Sequence, residues 1–186
     1  MLKKDTHMNI IDILRKNPDK EDKITIELFR TVGDIKQKGF LDKENAIKIL
    51  KWKSPRPLIR YESNSDEDFK EITKLAFDTK NEKLKIHILT YLKGVSYPAA
   101  SALLMFYDKT KYPVIDIRVW KELYNVGLVT NNERGQGFTL EQWWTYLNVI
   151  RKLAMETDLT ARQVEKRLFD NNKMNQKGTL YKQDKK

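Results

Sequence analysis

The sequence contains no cysteine and only two histidines, His7 and His87. The absence of cysteine excludes disulfide bonds, thiolate zinc sites, cysteine nucleophiles and cysteine-ligated iron–sulfur clusters. Two histidines are too few for a histidine-rich metal site. We therefore expect the protein to have no metal centre built from these side chains.

Long apolar runs are also missing. No segment approaches the ~18 apolar residues of a membrane-spanning helix, and the first residues lack the apolar core of a secretory signal. A cytoplasmic protein is the expectation. The 186 residues suffice for one domain, or for two small helical lobes that share a core. We expect one helical domain over residues 1–170 and a basic, disordered tail over residues 171–186.

Acidic residues are outnumbered by basic ones. The chain has 36 Lys and Arg against 26 Asp and Glu, so its formal net charge is +10. Such an excess favours a polyanionic partner such as nucleic acid. The simpler reading is that the charge only aids solubility, and part of it lies in the polar C-terminal tail.

Helical periodicity is strong along the chain and strand signals are weak, which predicts an all-α fold. A helix is expected over residues 24–35, with Ile24, Leu28, Val32 and Ile35 on one face and Gly39 as its stop. Further helices are expected to begin at four capping residues, Asp42, Ser65, Thr139 and Thr160. The apolar faces predicted for these four helices are Ala46, Ile47 and Leu50; Phe69, Ile72, Leu75 and Ala76; Trp143, Tyr146, Leu147, Ile150 and Leu153; and Val164 and Leu168.

Two breaks separate these helices. The segment from Ser54 to Pro57, which contains two prolines, is expected to end the helix that Asp42 caps. Residues 131–137 are polar and rich in glycine, and are expected to form a loop.

Residues 82–107 predict two helices joined by a tight turn. The first covers residues 82–91, with Leu84, Ile88 and Tyr91 at helical spacing and Leu89 extending the face. The turn runs from Leu92 to Ser96, and the second helix runs from Tyr97 to Tyr107.

Three residues favour this turn. Ser96 suits the N-cap of the second helix, Pro98 suits its first turn, and Gly94 permits a backbone conformation that residues with side chains rarely adopt. The turn amides then point outward at a helix N-terminus, which suits a phosphate oxygen.

This segment, Leu92-Lys93-Gly94-Val95-Ser96 followed by Tyr97-Pro98-Ala99-Ala100-Ser101-Ala102-Leu103-Leu104, resembles the helix-hairpin-helix motif of the endonuclease-III-like DNA glycosylase superfamily. The stretch Tyr112-Pro113-Val114-Ile115-Asp116-Ile117-Arg118-Val119-Trp120 resembles the superfamily's Pro-x-x-Asp-x-Arg/His-Val segment, which carries its catalytic aspartate. Asp116 falls on that aspartate without a gap. The resemblance covers roughly residues 84–125.

The resemblance implies a helix-hairpin-helix fold of two helical lobes, double-stranded DNA as partner, and base excision with Asp116 as the catalytic residue. It also implies backbone binding by the hairpin, through Lys93, Gly94, Val95, Ser96 and Tyr97. No cofactor is implied, apart from a monovalent cation that the hairpin turn could bind.

The sequence departs from the superfamily at two hairpin positions. Ser96 stands where the second hairpin glycine is found, which narrows the available backbone conformations. Pro98 stands where bifunctional members carry a Schiff-base lysine, so lyase chemistry through this position is excluded. The resemblance is therefore to the monofunctional branch, which hydrolyses the N-glycosidic bond without lyase activity.

Other residues are weaker candidates. Similar helix-hairpin-helix proteins share the segment from Trp52 to Arg56, including Lys53, and an element like Arg162-Gln163-Val164-Glu165. The candidate walls of a base pocket are the aromatic side chains Trp52, Trp120, Trp143, Trp144 and Tyr146, of which most are expected in the core. Arg56 and Arg118 are candidate DNA or pocket contacts, although an ordinary loop and a structural ion pair explain them as well. Ser101 and Ala102 are explained most simply as helix-packing residues.

Two alternatives stay open at this stage. Asp116 precedes a helix and suits a plain N-cap, worth ~1 kcal/mol, with no catalytic role. The protein would then be a non-catalytic helix-hairpin-helix DNA-binding module, or a scaffold in which the hairpin is only architecture.

Overall fold

The computed structural model of the chain describes residues 10–16 and 20–176, and within these ranges the protein is helical with no β-strand. Residues 10–16 form helix α1. The helices that follow are α2 (Lys23–Val32), α3 (Ile35–Lys38), α4 (Lys43–Lys53), α5 (Leu58–Glu62), α6 (Asp66–Asp78), α7 (Glu82–Leu89), α8 (Tyr97–Tyr107), α9 (Ile117–Asn125), α10 (Leu140–Thr157) and α11 (Ala161–Asn175). The all-α prediction is confirmed for these residues.

Helix α8 is the central helix of the first group. All residues from Ala99 to Phe106 are buried, so this helix is enclosed on every side. It packs against α3, α4 and α7, and α4 in turn packs against α2, α5 and α6. The small side chains Ala99, Ala100 and Ala102 leave the neighbouring helices room to approach closely.

A second group is formed by α9, α10 and α11, with α11 packing on both α9 and α10. Trp120, Trp143 and Tyr146 are fully buried there and are among the largest side chains of the core. Contact between α10 and α7 joins this group to the first. Residues 112–116 are non-helical and lead from the end of α8 to the start of α9, so they run from one group to the other.

The predicted caps are confirmed at all four positions. Asp42 accepts a hydrogen bond from the backbone N–H of Asn45, and Ser65, Thr139 and Thr160 each form a capping box with the residue three positions later. The predicted break after α4 and the loop at residues 131–137 are also present. The helix predicted over residues 24–35 is instead two helices, because Gly33 has a positive φ of 65° and Asp34 caps α3 anew.

Four apolar residues assigned to buried faces are exposed instead: Ile24, Leu75, Leu84 and Tyr91. In α2 the buried positions are Thr25, Leu28 and Val32, and in α7 they are Lys85, Ile86 and Leu89. In both helices several apolar residues lie close together in sequence. Helical spacing alone therefore offers more than one face, and the packing partner decides which face is buried.

The predicted tail is only partly described. Helix α11 continues to Asn175, so the first five residues assigned to a disordered tail are helical. Residues 177–186 lie outside the described residues. No helix in the described part of the chain is long and apolar enough to cross a membrane.

Candidate active site

The hairpin turn is held by backbone geometry and by a neighbouring helix. Gly94 has a φ of +86°, a conformation that side chains rarely adopt. The Val95 N–H donates to the Leu92 carbonyl at 3.0 Å and closes the turn. Arg60 and Tyr61 pack so closely on Gly94 that an added Cβ would lie 2.8 Å from the Arg60 Cβ. The sequence motif therefore folds into the expected hairpin, pressed against α5.

A buried asparagine supports the same turn. Asn64 is 3% exposed and bonds both the N–H and the carbonyl of Lys93. The Lys93 side chain itself is exposed, as is Ser96. Ser96 is the N-cap of α8, but its hydroxyl makes no capping hydrogen bond. The Tyr97 hydroxyl lies 3.0 Å from Nδ1 of His87.

Asp116 caps α9 and also meets a lysine from another helix. Its Oδ1 accepts a hydrogen bond from the Arg118 N–H at 2.9 Å. Its Oδ2 lies 2.6 Å from Nζ of Lys53, the last residue of α4. The exposed fractions are 19% for the Asp116 side chain and 13% for that of Lys53. The expected cap is present, together with an ion pair that is largely shielded from water.

Buried side chains fix the extended segment that delivers Asp116. The Ile115 N–H donates to Oγ of Ser101 at 3.0 Å, and the Tyr146 hydroxyl donates to the Val114 carbonyl at 2.8 Å. Glu165 accepts from the Val114 N–H at 3.4 Å. Ser101 is therefore more than a helix-packing residue, because it ties α8 to the backbone next to Asp116.

A cavity of about 450 Å³ opens beside Asp116. Its wall combines the loop after α4, the start of α8, the segment around Asp116 and the glycine-rich loop before α10. The lining residues are Lys53, Ser54, Pro55, Arg56, Pro57, Tyr61, Ser96, Pro98, Ala99, Ile115, Asp116, Ile117, Gly135, Gln136, Gly137 and Phe138. Asp116 and Lys53 thus face a cavity that begins at the hairpin, and its volume is in the range of small-molecule sites.

Asp116 and Lys53 also line a second cavity of about 370 Å³. Its other lining residues are Asp22, Trp52, Val114, Arg162, Glu165, Lys166, Phe169, Asp170 and Lys173. Trp52 and Phe169 give this cavity aromatic surfaces, and the remaining side chains are mostly charged. The ion pair is therefore shared by two cavities of different character.

A buried ionic cluster lies behind the ion pair. Arg162 binds Glu165 directly, and its Nη2 lies 2.9 Å from Glu21. The Arg162 guanidinium also stands 5.6 Å from the ring centre of Trp52. Complete burial raises the pKa of Glu165, while the nearby charges of Arg162 and Lys53 oppose this shift. The element Arg162-Gln163-Val164-Glu165 thus lies directly beside the candidate site.

The structure places some of the weaker candidates at the two cavities and others away from them. Trp52, Lys53 and Arg56 line one or both cavities. Trp120 does not line either cavity: it is 1% exposed, and its Nε1 donates to the Asn132 carbonyl at 2.8 Å. Arg118 points to the end of α11, where it bonds Asn172 and the C-cap residue Gln176, and it lines neither cavity. A contact of Arg118 with DNA stays a prediction.

The other predicted aromatic walls lie elsewhere. Trp143 and Tyr146 are fully buried core residues, and Trp144 packs under the Lys83 ammonium. Sequence reasoning missed Asn64, Phe138 and Phe169. Their only signal was residue type, since each comes from a different element and only the fold brings them to the site.

No group of three or more His, Asp or Glu side chains in residues 10–16 and 20–176 is arranged to hold a metal ion.

Neither a protein-family model nor a curated protein matches the chain. Among solved structures, the chain is similar to the 8-oxoguanine glycosylase/lyase of Methanocaldococcus jannaschii, in complex with a 15mer DNA containing 8-oxoguanine. The match has a TM-score of 0.51 and 16% sequence identity, and covers 94% of this chain and 83% of that chain. The described part of the chain therefore has an all-helical, helix-hairpin-helix glycosylase-like fold.

Proposed function

We propose that the protein is a DNA N-glycosylase that hydrolyses the N-glycosidic bond of a damaged or modified base in double-stranded DNA. The observation that carries the proposal is the position of Asp116. Its carboxylate is shielded from water, lies at the start of a helix, and faces a cavity that begins at the hairpin. The similar fold of a DNA glycosylase/lyase supports the same assignment.

The chemistry requires a negative group beside the sugar. Breaking the glycosidic bond develops positive charge on the deoxyribose, as in other oxocarbenium-like reactions. The Asp116 carboxylate would stabilise that charge and orient the attacking water. Position 98 carries proline, so the lysine of the bifunctional enzymes has no counterpart there, and we propose that the base is released by hydrolysis.

The target base must first leave the helical stack. In the proposed complex the hairpin turn holds the phosphate backbone through its N–H groups and Lys93. The sugar would then lie at Asp116. The second cavity would receive the base, since Trp52 and Phe169 offer it aromatic surfaces and the charged side chains offer hydrogen bonds. A monovalent cation at the hairpin turn stays a prediction.

The test is base release by the folded Asp116→Asn variant. Asn caps helices as well as Asp does, so α9 should survive while the negative charge is lost. Labelled duplexes with oxidised, alkylated or deaminated bases, 8-oxoguanine first among them, are incubated and then heated in alkali, which cleaves every abasic site. We expect cleavage by the wild type at one or more of these bases and none by the variant. Equal base release by both proteins would overturn the proposed role of Asp116.

One observation favours a second candidate, a non-catalytic DNA-binding module. Both oxygens of Asp116 already have partners, Arg118 N–H and Lys53 Nζ, as in a purely structural cap and ion pair. This candidate predicts salt-sensitive DNA binding with little dependence on base identity and no abasic product from any duplex.

A further inference from the structure

We infer that the groove between α2 and α4 is a docking site for a short acidic amphipathic helix of a partner protein. This α2–α4 groove has a volume of about 650 Å³ and is lined by Lys23, Ile24, Glu27, Leu28, Thr31, Lys48, Lys51 and Trp52. Of these residues only Trp52 also lines a cavity that contains Asp116. The inference therefore goes beyond the proposed base release and does not depend on it.

The floor of the groove is apolar. Ile24 lies in the first turn of α2 and is 73% exposed. Leu28, one turn later, is largely covered, and Trp52 of α4 is partly buried. Nε1 of Trp52 donates to Oγ1 of Thr25 at 3.0 Å, so the indole is held in place and its polar atom is already satisfied. An exposed isoleucine in the same groove as a fixed aromatic ring offers contact area to the apolar side chains of a partner.

The spacing of the lining residues fits a helix of two or three turns. Ile24, Leu28 and Thr31 stand at positions i, i+4 and i+7 of α2, and this stretch follows about 10 Å of the helix axis. A partner helix with apolar residues at the same period would present one of them at each turn of α2. The shape of the groove, which lies between two packed helices, suits this mode of docking.

The rim of the groove carries positive charge. Lys23 and Lys51 are exposed and form no ion pair within the described part of the chain. Lys48 is already bound to Glu44 at 2.7 Å. Glu27, the one acidic residue of the lining, lies 3.6 Å from an arginine of its own helix. The uncompensated charge is therefore that of two lysines, and Asp or Glu along the sides of a partner helix would complement it.

Other occupants fit this surface less well. Residues 1–9 contain two lysines and one aspartate, and residues 177–186 contain four lysines and one aspartate. Both segments are basic, so they would bring like charges to the lysines of the rim. The DNA backbone supplies negative charge, but it lacks the apolar surface that Ile24 and Trp52 would contact.

The probe is a fluorescein-labelled helical peptide with leucine at every third or fourth position and glutamate on the flanking positions. Fluorescence anisotropy measures its binding to the full-length protein. We expect a dissociation constant below about 100 μM, and weaker binding as the salt concentration rises. Two control peptides should bind at least about tenfold more weakly. One has the same residues in scrambled order, so that the leucines no longer share a face, and the other has lysine in place of glutamate.

Variants of the protein locate the binding. Ile24→Ser removes the exposed apolar side chain and should weaken peptide binding about tenfold. Ile59→Ser is the matched control, because Ile59 is 83% exposed on α5 and does not line the groove. Lys51→Gln should weaken binding about threefold and reduce its dependence on salt. Lys74→Gln, at an exposed position of α6, should change neither. Thermal unfolding checks that each variant is folded.

Several results would overturn the inference. One is the absence of peptide binding up to about 1 mM, or equal binding of the scrambled peptide or of the Ile24→Ser variant. Another is a wild-type dimer in sedimentation that Ile24→Ser converts to a monomer, because the occupant would then be a second copy of the chain. A third is a loss of duplex affinity in both Ile24→Ser and Lys51→Gln, because the groove would then belong to the DNA interface. None of these measurements involves base release, so their outcome is separate from that of the proposed function.

Discussion

Asn64 bonds the backbone of Lys93 at both of its polar groups. The Lys93 N–H donates to Oδ1 of Asn64 at 2.8 Å, and Nδ2 of Asn64 donates to the Lys93 carbonyl at 3.2 Å. The same Nδ2 also reaches the Tyr61 carbonyl at 2.9 Å. One buried side chain therefore connects the end of α5 to the hairpin turn, and the turn is shaped by residues about thirty positions earlier in the sequence.

Replacing this asparagine should weaken both the fold and DNA binding. Asn64→Leu leaves buried backbone groups unsatisfied, which costs about 1–3 kcal/mol of unfolding free energy. Denaturant unfolding measures that loss, and titration with a duplex measures affinity. Ser63→Ala, at an exposed neighbouring position, removes only a solvent-exposed hydrogen bond to the Arg60 carbonyl and should cost less than Asn64→Leu. Unchanged affinity in Asn64→Leu would contradict the assigned role of the turn.

Gly94 allows a second test of the hairpin. Gly94→Ala places a Cβ 2.8 Å from the Arg60 Cβ at a φ of +86°, so it combines a strained backbone with a clash. Gly127→Ala is the matched control, because its φ is +71° and nothing lies within 4 Å of the added Cβ. Positive φ alone costs about 1–2 kcal/mol. We expect Gly94→Ala to lose more unfolding free energy than the control, as measured by denaturant unfolding, and to bind DNA more weakly. An equal loss of unfolding free energy in both variants would show that contact between α5 and the turn adds no cost.

The hairpin could be read from the sequence because its signals are local. Gly94, Pro98 and the capping residues act within a few positions, so the turn and the bounds of α8 follow from neighbouring residues alone. The position of Asp116 was likewise predicted from its motif. Four capped helices were found for the same reason, since a cap is an interaction between residues three positions apart.

The contacts around Asp116 could not be read from local signals, although the resemblance names Lys53 and Glu165 as candidates. Lys53 is 63 positions from its partner in the ion pair, and Glu165 is 51 positions from the Val114 backbone that it binds. Such contacts depend on which helices pack together, and local periodicity and capping signals do not indicate that. The buried position of Trp120 has the same origin: an aromatic side chain at helical spacing suits a cavity wall and a core equally well.

Lys93 should contribute to DNA affinity through charge. Its side chain is exposed in the turn, and we expect it to contact a phosphate. Lys93→Gln would then lower affinity for all duplexes about equally and reduce the slope of log affinity against log salt by about 1. Fluorescence anisotropy at several salt concentrations gives that slope. Lys152→Gln, at an exposed position on α10, is the control and should leave it unchanged. A slope that Lys93→Gln does not alter would remove this residue from the DNA interface.

The lowered pKa of Asp108 predicts that the free energy of unfolding depends on pH. Burial acts to raise its pKa, but hydrogen bonds from Lys36 and Thr110 and the Lys36 charge outweigh that effect, so the pKa is lowered from its ordinary 3.8. The Nζ of Lys36 lies 2.7 Å from the buried carboxylate and is itself half-exposed. A lowered pKa stabilises the folded state at pH values above the pKa of the unfolded chain, and this contribution is lost as the pH falls through the folded pKa.

Lys36→Gln should therefore cost about 1 kcal/mol at pH 7, and progressively less as the pH falls below about 4. Urea unfolding across this range measures the difference, with Lys38→Gln as a neighbouring exposed control. A cost that stays constant down to the acid limit would mean that Lys36 contributes through packing rather than through the charge of Asp108.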